Sequence, residues 1–414
     1  MDAKFRIDHQ MLAVEKEHGV HCMLELQMSD APGEGRAPLS IALVIDRSGS
    51  MGGEKLAVAK ECARYLTRRL TGEDRIALVS YDDEVDLVAP LAHVDAPALD
   101  AALAGIFPRG STNLSGGWLK GLEEIGRAPD AGVRRVLLLT DGRANAGITD
   151  AAKLVSIASG AKDKAATTTI GFGADFDEDL LAAIADASGG ATYFAENPDD
   201  APGIFAEEFA GLATLVAQNV SVEIRPAAPV ELLGVLNEYP IADVPGGLQV
   251  QIGDAYGSER RRVVFGMRIP EVQKLGVLRV ADVVLRYVTV GDSVEAREGS
   301  IPITVNLVSA DEAAAAEADH EVVEETVLLA SARARKQARD LADRGDFDGA
   351  REMLGRVSSE LRDLAGDSER ADELLHDADA LDTHMCAMSP DAYGPADRKR
   401  LSNEGWRRSR GRRV

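Results

Sequence analysis

LSIALVID at 39–46 is a continuous apolar run closed by an aspartate, the same texture returns in RIALVSY (75–81) and RRVLLLT (134–140), and TTTIGFG (167–173) reads as a further strand. Short continuous apolar runs bounded by turn residues predict strands buried on both faces. The stretch EKLAVAKECARYLTRRL (54–70) changes period. Its Leu56, Ala59, Ala63, Leu66 and Leu70 fall on one helical stripe. Further helices are expected near 97–106, 114–127, 149–164, 177–187 and 201–217. VDLVAPL (85–91) is expected to return as an antiparallel edge strand, and ATYFA (191–195) as a last strand. This alternation predicts an α/β unit over residues 36–216, a doubly wound, six-stranded, mostly parallel sheet between helices.

Beyond residue 217 the period becomes two. NVSVEIRP, GLQVQIG, RRVVFGMRIP, LRVADVVLRYVTV and ITVNLV alternate between Gly- and Pro-rich turns, which predicts a β-sandwich over 217–310. The first 35 residues hold two more strands, FRIDHQMLAV and VHCMLELQM, joined around Glu17-His18-Gly19 and followed by a break at 30–37. Two strands alone are not stable. They are therefore expected to complete the sandwich, with the α/β unit inserted within it. Residues 311–388 read as three helices, the first two joined at Gly345-Asp346 and the third after Ser368. GDFDGAREML resembles the turn of a tetratricopeptide repeat, but an array needs several such units. The Pro/Gly-rich, basic end, 389–414, is expected to be disordered.

A length of 414 residues suits two or three domains. The formal net charge of −23 argues against a nucleic-acid partner, because phosphate contacts need a basic surface. Cys22, Cys62 and Cys386 are scattered and form no CxxC pair, so neither a zinc knuckle nor a redox motif is supported. The amino terminus lacks an apolar signal core and no run is long enough to span a membrane. The resulting expectation is a cytoplasmic protein, with secretion as an adhesin kept as a further possibility.

Three polar loops carry the candidate chemistry. Asp46, Ser48 and Ser50 lie in DRSGSMGG after the first buried strand, Thr112 lies in GSTN before a helix, and Asp141 ends RRVLLLTD. In doubly wound sheets ligands bind beyond the carboxyl ends of the strands, and all three loops leave that edge. Two carboxylates and three hydroxyls make an all-oxygen, hard donor set, which suits Mg²⁺ (or Mn²⁺) better than Zn²⁺. Strand-end caps and turn residues are the plain alternative for Asp, Ser and Thr at such places.

D-x-S-x-S, the Thr and T-D-G together resemble the metal-ion-dependent adhesion site of the von Willebrand factor A family, over roughly residues 38–216. The resemblance implies a Rossmann-like fold and a divalent ion surrounded by Asp46, Ser48, Ser50, Thr112 and Asp141, with Asp141 often acting through water. It also implies that the ion takes an Asp or Glu from a partner protein, which makes the chain a binding module or adaptor and not an enzyme. Intracellular relatives often serve multiprotein assemblies, including AAA-type ATPases. A sandwich around or after such a domain also resembles bacterial relatives and the inter-alpha-trypsin inhibitor heavy chains. The alternative from another class is a metal-dependent hydrolase using ion-bound water, although no general base stands beside the motif.

Weaker signals favour plain readings. GFGADF (171–176) lacks the third glycine of a dinucleotide fingerprint. Asp46 lacks the second aspartate that a haloacid-dehalogenase nucleophile needs. His21 and His93 read as surface or strand residues. Asp82-Asp83-Glu84 and Asp175-Asp177-Glu178-Asp179 read as solvated loops and a helix start. The basic end reads first as a solubilising tail and second as a clamp onto an acidic surface, its own or a partner's.

Overall fold

A computed structural model describes residues 1–30, 36–129, 132–173, 175–290, 295–366 and 368–410. The chain opens with β1 (Asp2–Ile7), β2 (Met11–Ala13) and β3 (His18–Gln27). The α/β unit follows: β4 (Leu39–Asp46), α1 (Glu54–Arg69), β5 (Arg75–Tyr81), β6 (Val85–His93), α2 (Ala96–Ala104), α3 (Leu114–Ile125), β7 (Val133–Thr140), α4 (Ala151–Ala161), β8 (Ala166–Phe172), α5 (Glu178–Ser188), β9 (Thr192–Ala195) and α6 (Ala201–Ala213). Seven strands come next: β10 (Leu215–Pro226), β11 (Glu231–Val235), β12 (Ile241–Val244), β13 (Gly247–Tyr256), β14 (Arg260–Ile269), β15 (Gly276–Thr289) and β16 (Ala296–Val308). The chain closes with α7 (Ala310–Ala314), α8 (His320–Ala342), α9 (Phe347–Ala365), α10 (Ala371–Ala387) and α11 (Pro395–Ser409).

The α/β sheet has the order β6-β5-β4-β7-β8-β9. All its pairings are parallel except β5 with β6. The central strand β4 serves two cores. Ile41, Leu43 and Ile45 pack with α1, α2 and α6, while Ala42 and Val44 pack with α3, α4 and α5. That two-sided burial is why the strand reads as an unbroken apolar run. Helix α3 lies very close to the sheet. A Cβ on Gly117 would stand 2.3 Å from the Tyr81 ring, and one on Gly121 2.5 Å from Val44 Cγ2.

The remaining strands form a four-stranded sheet, β1-β3-β14-β11, and a six-stranded one, β12-β13-β10-β15-β16-β2. One core joins them, with Leu24, Leu26, Val263 and Phe265 from the first sheet and Val222, Ile224, Val283 and Ile303 from the second. The N-terminal strands divide between the sheets. FRIDHQMLAV breaks at Asp8, whose carboxylate accepts from the backbone N–H of His9 (2.8 Å) and His21 (2.9 Å). That turn sends β1 to pair with β3 and β2 to pair in parallel with β16. The junction between α6 and β10 is the single residue Thr214, so residues 215–217, expected to be helical, are strand.

Asp346 caps α9, accepting from Gly349 N at 2.9 Å, and Gly345 takes the positive φ of +83° that the turn before it needs. The basic end departs from expectation. Over Pro395–Ser409 it is helix α11, with Leu401 and Trp406 buried. Opposite charge explains the difference. Lys399 and Arg398 pair with Glu178 at the start of α5, while Arg408 pairs with Glu373 and Asp377 of α10. The clamp reading of this segment therefore applies, with the protein's own acidic surface as the target. Residues 411–414 lie outside the described residues.

Candidate metal centre

The carboxyl ends of β4 and β7 and the loop before α3 meet at one edge of the α/β sheet. Asp46 and Asp141 are both fully buried there, at 0% exposure. The first loop folds back at once. Ser48 N–H donates to Asp46 Oδ1 (2.8 Å), and Thr140 Oγ1 donates to the other oxygen, Oδ2 (2.7 Å). Ser48 Oγ and Ser50 Oγ lie 3.2 Å apart, and Ser50 Oγ donates to Asp141 Oδ1 at 2.7 Å. Thr112 joins from the second loop. A Cβ on Gly142, the residue after Asp141, would stand 3.2 Å from Thr112 Oγ1 and 3.8 Å from Ser50 Oγ. The structure thus brings Asp46, Ser48, Ser50, Thr112 and Asp141 to one place.

The loops are tied to one another. Gly49 N–H donates to Gly110 O (3.1 Å) and Arg109 N–H to Arg47 O (2.8 Å). Asn145 accepts from Thr112 N–H through its side chain (2.8 Å) and donates its own N–H to Thr112 O (3.1 Å). Asp82 differs from the solvated loop residue expected. It is fully buried and holds the guanidinium of Arg47 at 3.2 Å and that of Arg109 at 2.6 Å. Arg47, next to Asp46 in sequence, is thereby turned away from the site, and the Thr112 loop is pinned to the Asp46 loop. Arg47 and Arg109, with Asp82's backbone bond to Glu84, keep the Asp82 carboxyl below its ordinary value although burial alone would raise it.

Burial pushes the Asp46 carboxyl up to about 6. Hydrogen bonds from Thr140 and Ser48 oppose this, and the nearby Asp141 carboxylate adds to it. Two buried carboxylates facing one another are a place of excess negative charge. The protein's own response is Lys55, whose ammonium sits 2.5 Å from Asp141 Oδ2. A cation already stands at the site, in the form of a side chain. The donor set is all oxygen, two carboxylates and three hydroxyls, and it fits a hard divalent ion that retains water. Asp46, Ser48, Ser50, Thr112 and Asp141 are the residues that would hold it.

Sequence reasoning missed Lys55 and Asn145, and it named Thr140 only as a letter of T-D-G, without its bond to Asp46. Lys55 had a readable signal. It is the second residue of α1, where the helix dipole disfavours a cation, so an anion nearby was to be expected. Thr140 closes the apolar run, but its partner Asp46 ends another strand, and Asn145 lies in a loop whose shape no local rule sets.

The von Willebrand factor type A domain family model matches residues 40–207. The uncharacterized protein sll0103 of Synechocystis sp. is 27% identical over 334 residues, covering 77% of each chain. Inter-alpha-trypsin inhibitor heavy chain H3 of Rattus norvegicus is 25% identical over 214 residues, 49% of this chain and 24% of that one. Among solved structures, the von Willebrand factor type A protein from Catenulispora acidiphila superposes with a TM-score of 0.73 at 20% identity, over 98% of this chain and 96% of that one. The ArnB paralog VWA2 from Sulfolobus acidocaldarius gives 0.63 at 16% identity, over 100% and 99%. These two likenesses concern the fold, and they extend beyond the α/β unit to nearly the whole chain.

Proposed function

Because residues 40–207 form a von Willebrand factor type A domain, a kind of domain that mediates protein–protein interaction, we propose that this chain is a divalent-cation-dependent binding module. On this reading Asp46, Ser48, Ser50, Thr112 and Asp141 hold Mg²⁺ or Mn²⁺, and the partner completes the ion's coordination with an Asp or Glu side chain. The observation that carries the reading is the meeting of two buried carboxylates and the motif hydroxyls, with the Lys55 ammonium drawn onto Asp141. The bound ion would supply a Lewis-acidic face on which a carboxylate replaces water.

One exposed cation stands near the site. Arg143, two residues past Asp141, is exposed and makes no ion pair among the described residues. It lines a cleft of about 550 Å³ of mixed charge, with Arg398 and Lys399 and with Asp177, Glu178, Asp179 and Asp343. Phe107, in the loop leading to Thr112, is 68% exposed and offers an apolar contact beside the site. An AAA-type ATPase as the partner remains part of this proposal on resemblance alone. The test is capture from lysate by the immobilised protein in Mg²⁺, in EDTA, and with Asp46→Ala. A partner retained only by the wild type in Mg²⁺ supports the reading. Equal retention in all three overturns it. Mg²⁺-dependent hydrolysis lost in Asp46→Ala would favour an enzyme instead.

A further inference from the structure

A second cleft, of about 370 Å³, opens on the far side of the α/β unit, where α5, the β12–β13 hairpin and the end of α11 meet. The domains come together there through Gly189 and Gly253. A Cβ on Gly253 would stand 3.0 Å from Gly189 O. Trp406, Tyr256, Ile241 and Ile252 are among the residues that line the cleft, and the Arg410 guanidinium lies 4.9 Å from the centre of the Trp406 ring. Its volume falls within the range of small-molecule sites.

Two buried arginines reach this cleft. Arg261 is 2% and Arg410 5% exposed. Their guanidiniums are engaged, Arg261 through both terminal nitrogens with Glu259 and Arg410 O, and Arg410 through one of them with Asp186 and Glu238 O. The Nε–H of each is buried and has no hydrogen-bond partner among the described residues. A buried donor left unpaired is costly, and charged donors more so. The carboxylates at the cleft are already taken, Asp186 by Arg410 and Trp406, Asp254 by Arg135. Lys162 adds a further cation at the wall, and Gln249 and Gln251 add amide groups.

We propose that this cleft binds a small planar carboxylate, with its anionic group toward Arg261, Arg410 and Lys162 and its ring against the aromatic and aliphatic side chains. An uncharged molecule of the same shape brings no negative charge to the two guanidiniums and Lys162, and a cationic one is repelled by them. The site is separate from the metal loops, so its occupancy does not require the ion.

The test is calorimetric titration of the full chain with 2-naphthoate and with the uncharged 2-naphthamide, each in EDTA. The carboxylate is expected to bind with one-to-one stoichiometry and the amide at least tenfold more weakly. Arg261→Gln should weaken naphthoate at least tenfold. Because that change touches a buried ion pair, two milder variants decide. Lys162→Glu reverses a half-buried charge, and Ala242→Trp fills the cleft from an exposed position. Both should lose tenfold or more with unchanged thermal unfolding. Asp46→Ala should bind as the wild type does, which separates this site from the metal reading. The proposal is overturned by absence of saturable naphthoate binding, by equal binding of the amide, or by full affinity in Ala242→Trp.

Discussion

The ammonium of Lys55 lies 2.5 Å from Oδ2 of Asp141, at the point where a divalent cation would add its own positive charge. Lys55 and the ion are therefore competitors for one carboxylate. Lys55→Met should raise Mg²⁺ affinity several-fold in direct titration. It should also lower metal-free stability by about 1–3 kcal/mol, since Asp141 is fully buried and loses a charged partner. Unchanged Mg²⁺ affinity would show that the ammonium swings clear without cost.

Cation binding should register as stability. A ligand at a hundredfold excess over its Kd adds about 2.7 kcal/mol to the folded state, so MgCl₂ should raise the thermal midpoint of the wild type. Asp46→Ala removes one of the two carboxylates and should abolish the response. Thr112→Ala removes a neutral donor, and its response should be reduced rather than lost. A wild type whose midpoint ignores Mg²⁺, Mn²⁺ and EDTA alike argues that the loops bind no ion.

Asp377, fully buried in α10, gives a pH dependence. Burial alone would raise its carboxyl. The guanidiniums of Arg335 (3.0 Å) and Arg408 (3.3 Å) outweigh burial and hold it below the ordinary 3.8. A lowered folded value means that its contribution is complete above about pH 4. It is shed as pH falls further, through the folded value. Chemical denaturation at stepped pH should show this loss, and it should be smaller in Asp377→Asn, which is weaker at neutral pH.

Arg408→Ala should cost about 3 kcal/mol or more, because the fully buried Asp377 and the half-buried Glu373 would each lose a cation. Circular dichroism melts of this variant and of a chain ending at residue 394 check whether α11 is structural. A truncated chain as stable as the full one would contradict the packing of Leu401 and Trp406.

Gly121→Ala should destabilise by about 1–3 kcal/mol through overpacking against Val44. A neutral result in equilibrium denaturation would mean that α3 retreats from the sheet freely.

Legibility in the sequence followed physical range. β4, β5 and β7 were readable because both faces are buried, so burial is written continuously along each run. The three loops of the candidate centre were readable because each short motif follows a strand or opens a helix. Asp82 was misread because its partners, Arg47 and Arg109, come from two other segments. α11 was misread for the same reason. Its composition is polar, and its helicity rests on acids at 178, 373 and 377, far away along the chain. β11 and β12 went unnoticed because they are short, half-exposed edge strands with no strong period.

The insertion of the α/β unit between β3 and β10 also sets a timetable. During synthesis β1 and β3 can pair early, residue Asp2 against Gln27. The other neighbour of β3 is β14, where Gln27 meets Arg260. At about 5–20 residues per second, translation needs on the order of 10–50 s to bring that strand out. Throughout that interval the inner edge of β3 is unpaired, with Leu24 and Leu26 uncovered, while the α/β unit emerges and folds ahead of its host. The nascent hairpin is therefore the segment most in need of shelter on the ribosome, because the strand that seals it is made only after the whole α/β unit.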